Sequence, residues 1–307
     1  MGFAAAMALA CVIDIAVGWP NKLYRRIGHP VSWMGALINA LESRWNKGAR
    51  RRRLMLGMVA VLIVVVAVIC AAALLQMLFP SVILVAVLAW PFVALRSMHA
   101  HVRAVAGPLI LGDLEGARQA VSMIVGRDPL QLNEAGVARA ALESLAENTS
   151  DGIVAPLFWG VLAGLPGIAA YKAINTMDSM IGHRTDQYEA FGKAAARLDD
   201  LVNLIPARST CLLFALASGR PFSALEVARR DAPQHRSPNA GWPESAMAAS
   251  LSVRLSGPRI YGDRVADEPW LNGSDPDPDG FSVRSGLALY RRAMFLMLCG
   301  LAVLAVL

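Results

Sequence analysis

Charge is what this 307-residue chain has least of. Asp, Glu, Lys and Arg make up only 17% of it, against roughly 25% in an ordinary soluble protein. Such scarcity excludes a solvated, disordered tail, which needs charge to stay open. Cysteine is equally sparse: Cys11, Cys70, Cys211 and Cys299 stand alone in apolar blocks, so neither a disulfide scaffold nor a CxxC pair is available. Neither GxxxxGK[ST] nor GxGxxG occurs, which excludes the standard phosphate-cradling loops. His99 and His101 are two apart and point to different faces of a helix, a spacing unsuited to a metal pair. The first apolar block lacks a basic n-region and therefore reads as a retained helix.

Apolar residues, by contrast, are abundant, at 56% of the chain, and they are gathered into blocks. Leu54 to Leu95 runs 42 residues without one Asp, Glu, Lys or Arg. At roughly 20 residues per crossing this block is two spans, 54–75 and 81–95, joined at Gln76–Ser81 around Pro80. Residues 3–19 and 287–307 supply two more. Blocks 152–171 and 201–219 are interrupted by Pro156, Pro166 and Arg208, and either span or re-enter. The expectation is an all-α, polytopic helical integral membrane protein, residues 1–307 forming a single embedded domain with cytoplasmic helices and loops.

The net charge of +6 has a membrane explanation. Asn21 to Arg53 holds nine basic residues against the single acid Glu42, which places this loop on the cytoplasmic side. Directly before a span, the Arg50–Arg53 run reads as a topology signal, so the lipid bilayer is the expected partner and nucleic acid is not. Within the loop, Met34, Leu37, Ile38, Leu41 and Trp45 recur at helical spacing behind Pro30, the pattern of an amphipathic helix.

In so charge-poor a chain, the polar clusters between 128 and 254 are the informative places. After a cap at Asp128 and Pro129, a helix is expected from Leu130 to about Glu147. Glu143 and Glu147 share one of its faces, and Asp151 extends the stripe if the helix continues. Like charges four apart destabilise a helix, and a cation would offset that; the alternative is a solvated helix end with Asn148–Gly152 as its exit turn. Lys172, Asn175, Asp178 and Ser179 share a second helical face, with Arg184 two turns on. Arg197, Asp199, Asp200, Asn203 and Arg208 follow on or near a third, where ion pairing of Arg197 with Asp200 is the simpler reading. Beside a membrane, such groups usually mark a site. The rigid loop Ser237–Glu244 presents Asn239, Trp242 and Glu244. Asp275, Asp277 and Asp279 imitate an EF-hand opening, but position twelve would be Gly286, so this is read as a loop.

These clusters resemble the adenosylcobinamide-phosphate synthase family of cobalamin biosynthesis. The matching stretches are His29–Val31 with Trp33–Gly35, then ENTSDGIVAPLFW (147–159), YKAINTMDSMIGHR (171–184), FGKAAARLDDLVNLIPAR (191–208) and SPNAGWPESAMA (237–248). They cover essentially the whole chain in order, departing at Trp19 and Leu204. The resemblance implies a multi-pass enzyme of the bacterial inner membrane with its active-site side cytoplasmic. It implies an amide-forming ligase that joins adenosylcobyric acid, a corrinoid, to aminopropanol phosphate or a related amino-alcohol phosphate. ATP is implied as co-substrate, with Mg²⁺. By that resemblance Glu147, Asp151 and Asp178, with Asp199 or Asp200, hold the metal. Lys172, Arg184, Arg197 and Arg208 bind phosphates, Asn148, Asn175, Asn203 and Asn239 orient substrate, and Glu244 assists amine deprotonation. Other late enzymes of the pathway are implied partners. The competing classes are a corrinoid or ion transporter, which predicts internal repeats that the sequence does not display, and a membrane-docking subunit for cobalamin enzymes.

Overall fold

The uncharged block forms helices, as its length requires. In a computed structural model, which describes residues 2–125, 130–261, 264–266 and 268–307, the helices are, in chain order, α1 (Gly2–Val17), α2 (Asn21–Ile27), α3 (Pro30–Trp45), α4 (Arg50–Leu78), α5 (Val82–Ala89), α6 (Leu95–Ile110), α7 (Leu114–Ser122), α8 (Glu134–Thr149), α9 (Ala155–Ile181), α10 (Lys193–Val202), α11 (Leu204–Ala217), α12 (Pro221–Asp231), α13 (Gly241–Leu251) and α14 (Gly280–Val306). Two small antiparallel pairs interrupt them: β1 (Leu255–Ser256) with β4 (Trp270–Leu271), and β2 (Arg259–Tyr261) with β3 (Arg264–Ala266). Among the described residues, four helical runs are long and apolar enough to cross a membrane: Arg50–Leu78, Val82–Ile110, Glu134–Ile181 and Gly280–Val306. Counting each of two bent helix pairs as one span makes six. The chain is therefore an all-α polytopic membrane protein.

Local chemistry sets the helix ends. Ser81 caps α5 by accepting the Leu84 N–H at 3.2 Å, placing the first turn-around where Pro80 foretells it. His29 caps α3, its Nδ1 accepting from Val31 N–H, with Pro30 at the first helical position. The helix expected from Leu130 begins instead at Glu134, because Asn133 takes the Gly136 N–H at 2.8 Å; Asp128 and Pro129 lie outside the described residues. Asn148–Gly152 is not an exit turn either. A π-helical turn, Ser150–Val154, carries α8 into α9. At the chain's end, α14 starts at Gly280, one heptad earlier than hydropathy alone suggests.

The chain divides into two compact units: residues 1–94, 155–203 and 301–307 form the first, and 95–154 and 204–300 the second. In the first, α9 packs along α4, and α10 and α3 each pack on both. Gly57 of α4 and Gly192 make this possible: a Cβ on either would run into a backbone carbonyl, that of Phe191 or of Ile181 respectively. α9 is kinked where Ala163 and Gly164 leave helical geometry, Gly164 at φ +65°, a conformation glycine tolerates. The kink frees the Leu165 N–H, and the Gln76 side chain of α4 accepts it at 2.7 Å.

In the second unit, α11, α12 and α13 pack together, α6 packs on α7 and α8, and β1 lies against α8. The guanidinium groups of Arg139 (4.5 Å) and Arg254 (4.2 Å) both lie over the Trp270 ring. Asp277 accepts from both, at 2.8 and 2.7 Å. Asp275 accepts from Asn272 and Asp279 from Ser282 at the start of α14, so the three aspartates of the EF-hand-like stretch are engaged by the protein, as its reading as a loop implies.

Two consequences are testable. Gln76→Leu leaves the Leu165 N–H without its acceptor and is expected to cost about 1–3 kcal/mol, seen as a lower unfolding temperature in detergent, whereas Gln76→Glu retains an acceptor oxygen. The hydrogen bond from Arg254, with the charge of Arg139, holds the Asp277 carboxyl below the usual aspartate range. Its contribution is therefore complete above the unfolded value near 4 and lost as pH falls through the lower folded value. Thermal scans from pH 7 to pH 3 should show a steeper acid loss in wild type than in Asp277→Asn.

Candidate functional site

In the first unit, the polar face of α9 meets α10. The Lys172 ammonium donates to Asn175 Oδ1 at 3.2 Å, and the Ser179 hydroxyl donates to the Asn175 carbonyl. One residue beyond α10, Asn203 is 1% exposed and bridges two groups: its Oδ1 accepts from the Tyr171 hydroxyl at 2.9 Å, and its Nδ2 donates to Asp199 Oδ2 at 3.0 Å. The other Asp199 oxygen, Oδ1, is also buried, and the Asn175 amide lies beside the carboxylate. Asp178 and Asp200 both lie within electrostatic reach of Asp199. Arg197 stands 4.0 Å from Asp200, the ion pair its spacing suggests, and Arg184 is within electrostatic reach of the same carboxylate. His29 lies near Lys172 and edge-on to Trp19, which also packs on Trp90.

Thus Lys172, Asn175, Asp178, Arg184, Arg197, Asp199, Asp200 and Asn203 all belong to one unit. The stretch 191–208 is not one helix, however: α10 ends at Val202 and α11 begins at Leu204, with Asn203 between them. Asn203 is buried there, its amide used by Tyr171 and Asp199, while Arg184 and Arg197 stay exposed.

The remaining candidates lie in the second unit. Glu147 and Asn148 are exposed at the end of α8, and Asp151 is half-buried in the π turn, a local distortion frequent at functional sites. Asn148 donates to the Ser144 carbonyl at 2.9 Å. Glu143 parts company with Glu147: it is buried, and its Oε1 accepts the Ser256 N–H at 2.7 Å, so it anchors β1. α11 packs on the π turn and carries Arg208, whose Nη1 donates to the Leu204 carbonyl and to Asn239 Oδ1 at 3.2 Å. The guanidinium lies 4.8 Å over the Trp242 ring. Glu244 is 2% exposed, with Oε2 3.8 Å from His235 Nε2.

His235 is the residue that sequence reasoning missed. It sits nine positions from Glu244 in a proline-rich loop, and only the close approach of Gly241 to Ala232 and to the His235 side chain folds the two together. Its Nδ1 accepts the Ser237 N–H at 3.0 Å.

Among the described residues, no three His, Cys, Asp or Glu side chains are gathered closely enough to hold a metal ion by themselves. What the first unit offers is a buried, amide-braced carboxylate with neighbouring acids and exposed cations. Mg²⁺ commonly uses one or two carboxylates and completes its shell with water and substrate phosphates, and Asp178 and Asp199 suit that mode.

The fold and these clusters define a class: a polytopic helical membrane protein whose few polar side chains converge on acid–amide–cation sites. Residues 7–290 match the model of the CobD/Cbib protein family. The chain is 66% identical to a cobalamin biosynthesis protein CobD of Rhodobacter capsulatus, over 100% of this chain and 99% of that one. It is 46% identical to a protein of the same name from Sinorhizobium fredii, over 87% and 86% of the two chains, and 45% identical to one from Brucella anthropi, over 95% and 93%. No solved structure matches. The chain belongs to the CobD/Cbib family.

Asn203→Ala should leave Tyr171 and Asp199 without their shared partner. A loss of about 1–3 kcal/mol is expected, read as a lowered unfolding temperature, and Asn203→Asp should fare worse by adding a carboxylate beside Asp199.

Proposed function

We propose that this protein acts in cobalamin biosynthesis as an ATP-dependent amide ligase of the adenosylcobinamide-phosphate synthase type, joining adenosylcobyric acid to an amino-alcohol phosphate. Family membership and the names of its relatives support the pathway. The observation that carries the reaction class is the Asp199 carboxylate, nine-tenths buried, braced by Asn203, with Asp178 alongside and cations at the rim.

A carboxylate and a protonated amine do not condense unaided, since hydroxide is a poor leaving group. Transfer of the γ-phosphoryl group of ATP to the substrate carboxylate gives an acyl phosphate and ADP; attack by the amine then forms the amide and releases inorganic phosphate. Asp178 and Asp199, with Asp200 nearby, would hold Mg²⁺, which would supply charge neutralisation for the phosphoryl oxygens. Lys172 binds phosphate as a point charge, and the exposed guanidinium groups of Arg184 and Arg197 bind it through paired N–H donors. In the second unit, Arg208 is held by Asn239 and Trp242 and offers its remaining donors to an anionic substrate group. Glu244, close to His235, is suited to accept the amine proton, with His235 positioning it. Glu147, Asn148 and Asp151 provide further acid and amide groups on their own unit. ATP and the basic loop Asn21–Arg53 favour the cytoplasmic side of a bacterial inner membrane.

The test incubates purified protein with adenosylcobyric acid, aminopropanol phosphate, ATP and Mg²⁺ and detects the amide by mass. Amide formation with release of ADP is the expected result; corrinoid flux into vesicles without it would favour a carrier. Asp178→Asn should lower turnover on the order of 10²-fold or more with membrane insertion intact, and wild-type turnover would remove Asp178 from the site.

A further inference from the structure

The four-arginine run at the start of α4 divides by helical phase. Arg50 pairs with Glu189 at 2.8 Å. Arg53 donates to Asn46 Oδ1 at 2.8 Å and to the Asp186 and Gln187 carbonyls. These two, three apart, are taken up by the protein. Arg51 and Arg52 point elsewhere: among the described residues neither side chain makes a hydrogen bond or an ion pair, and both are exposed. Together with Trp45, Met55 and Leu56 they line a cavity of about 470 Å³ between α3 and α4.

A topology signal needs only the charges, and any arrangement of four arginines would serve it. This arrangement does more, because two guanidinium groups share a concave site with an aromatic ring at the polar end of the longest uncharged stretch. Below them, Met55, Met58 and Leu62 follow Arg51 at spacings of four, three and four residues, and all three are exposed. They form one continuous apolar stripe on the outside of α4. From Arg51 to Leu62 the rise is about 16 Å, close to half of a hydrocarbon core roughly 30 Å thick.

The geometry points to a bound anionic phospholipid, its phosphate between Arg51 and Arg52 against Trp45 and an acyl chain along Met55, Met58 and Leu62. Charge complementarity selects an anionic headgroup over a zwitterionic one, since a choline or ethanolamine cation would meet two arginines. The stripe selects a lipid over a free phosphate, which has nothing to place there. Basic pockets between helices on the cytoplasmic side take anionic headgroups by this same chemistry. The site is independent of the ligase reading.

Native mass spectrometry of the detergent-purified full chain, with phosphatidylglycerol or phosphatidylcholine added, tests the proposal. Wild type should retain phosphatidylglycerol preferentially, and Arg51→Gln/Arg52→Gln should bind it roughly 30-fold more weakly, the ratio for about 1 kcal/mol per arginine. Arg51→Lys/Arg52→Lys should recover part of that affinity. Leu62→Gln, which leaves the charges in place, should weaken lipid binding as well. Unfolding temperatures measured without added lipid identify any variant that is merely misfolded, and the lysine pair then carries the comparison. Equal retention of both lipids by wild type, or undiminished phosphatidylglycerol binding by the glutamine pair, would overturn the site. Displacement of the lipid by millimolar inorganic phosphate, with Leu62→Gln behaving as wild type, would overturn the lipid as its source.

Discussion

A polar group left unpaired in hydrocarbon costs several kcal/mol, and the architecture of this protein follows from having to avoid that cost with very few polar side chains. The kink in α9 shows the constraint at its most local. Gly164 and Pro166 break the helix inside a candidate span, the Leu165 N–H loses its helical acceptor, and Gln76 of α4 reaches across to replace it. Gln76 lies in the block that contains no charged residue at all. A side chain that reads as part of the loop near Pro80 is thus a structural acceptor for another helix.

The same constraint shapes the candidate site. Asp199 lies where a carboxylate is costly, and Asn203 and Tyr171 form the chain of donors that makes it tolerable. The second Asp199 oxygen is buried too, with the Asn175 amide beside the carboxylate. Close packing of backbones at Gly57 and Gly192 brings α10 and the segment before it against α4 and α9, so the precision of the site rests on two positions that carry no side chain.

Charges outside the apolar stretches are distributed by a different rule. Arg139, Arg254 and Asp277 close around Trp270 in water-accessible structure, while Arg50 and Arg53 fasten the start of α4 to the loop after α9. Basic residues that look alike in the sequence therefore do unlike things: some hold loops, some stand exposed near buried carboxylates, and Arg51 and Arg52 stand exposed on the outside of α4.

Hydropathy, charge bias and motif spacing by themselves determined the helical membrane fold, the turn-around near Pro80, the capped amphipathic helix behind Pro30, and the stretches that hold the polar clusters. Such properties are written in consecutive residues, because a span, a cap or a helical face is a local periodicity. Tertiary structure decided what consecutive residues cannot encode. It separated Glu143, an anchor for β1, from Glu147 on the same helical face; it interrupted the helix at Asn203 and buried that amide; and it brought His235 to Glu244 through a loop closed by Gly241. It also split four adjacent arginines into two that bind the protein and two that do not. Each of these depends on which distant backbone or side chain lies within a few ångströms, the range over which hydrogen bonds and ion pairs act, and that is fixed only when the helices pack.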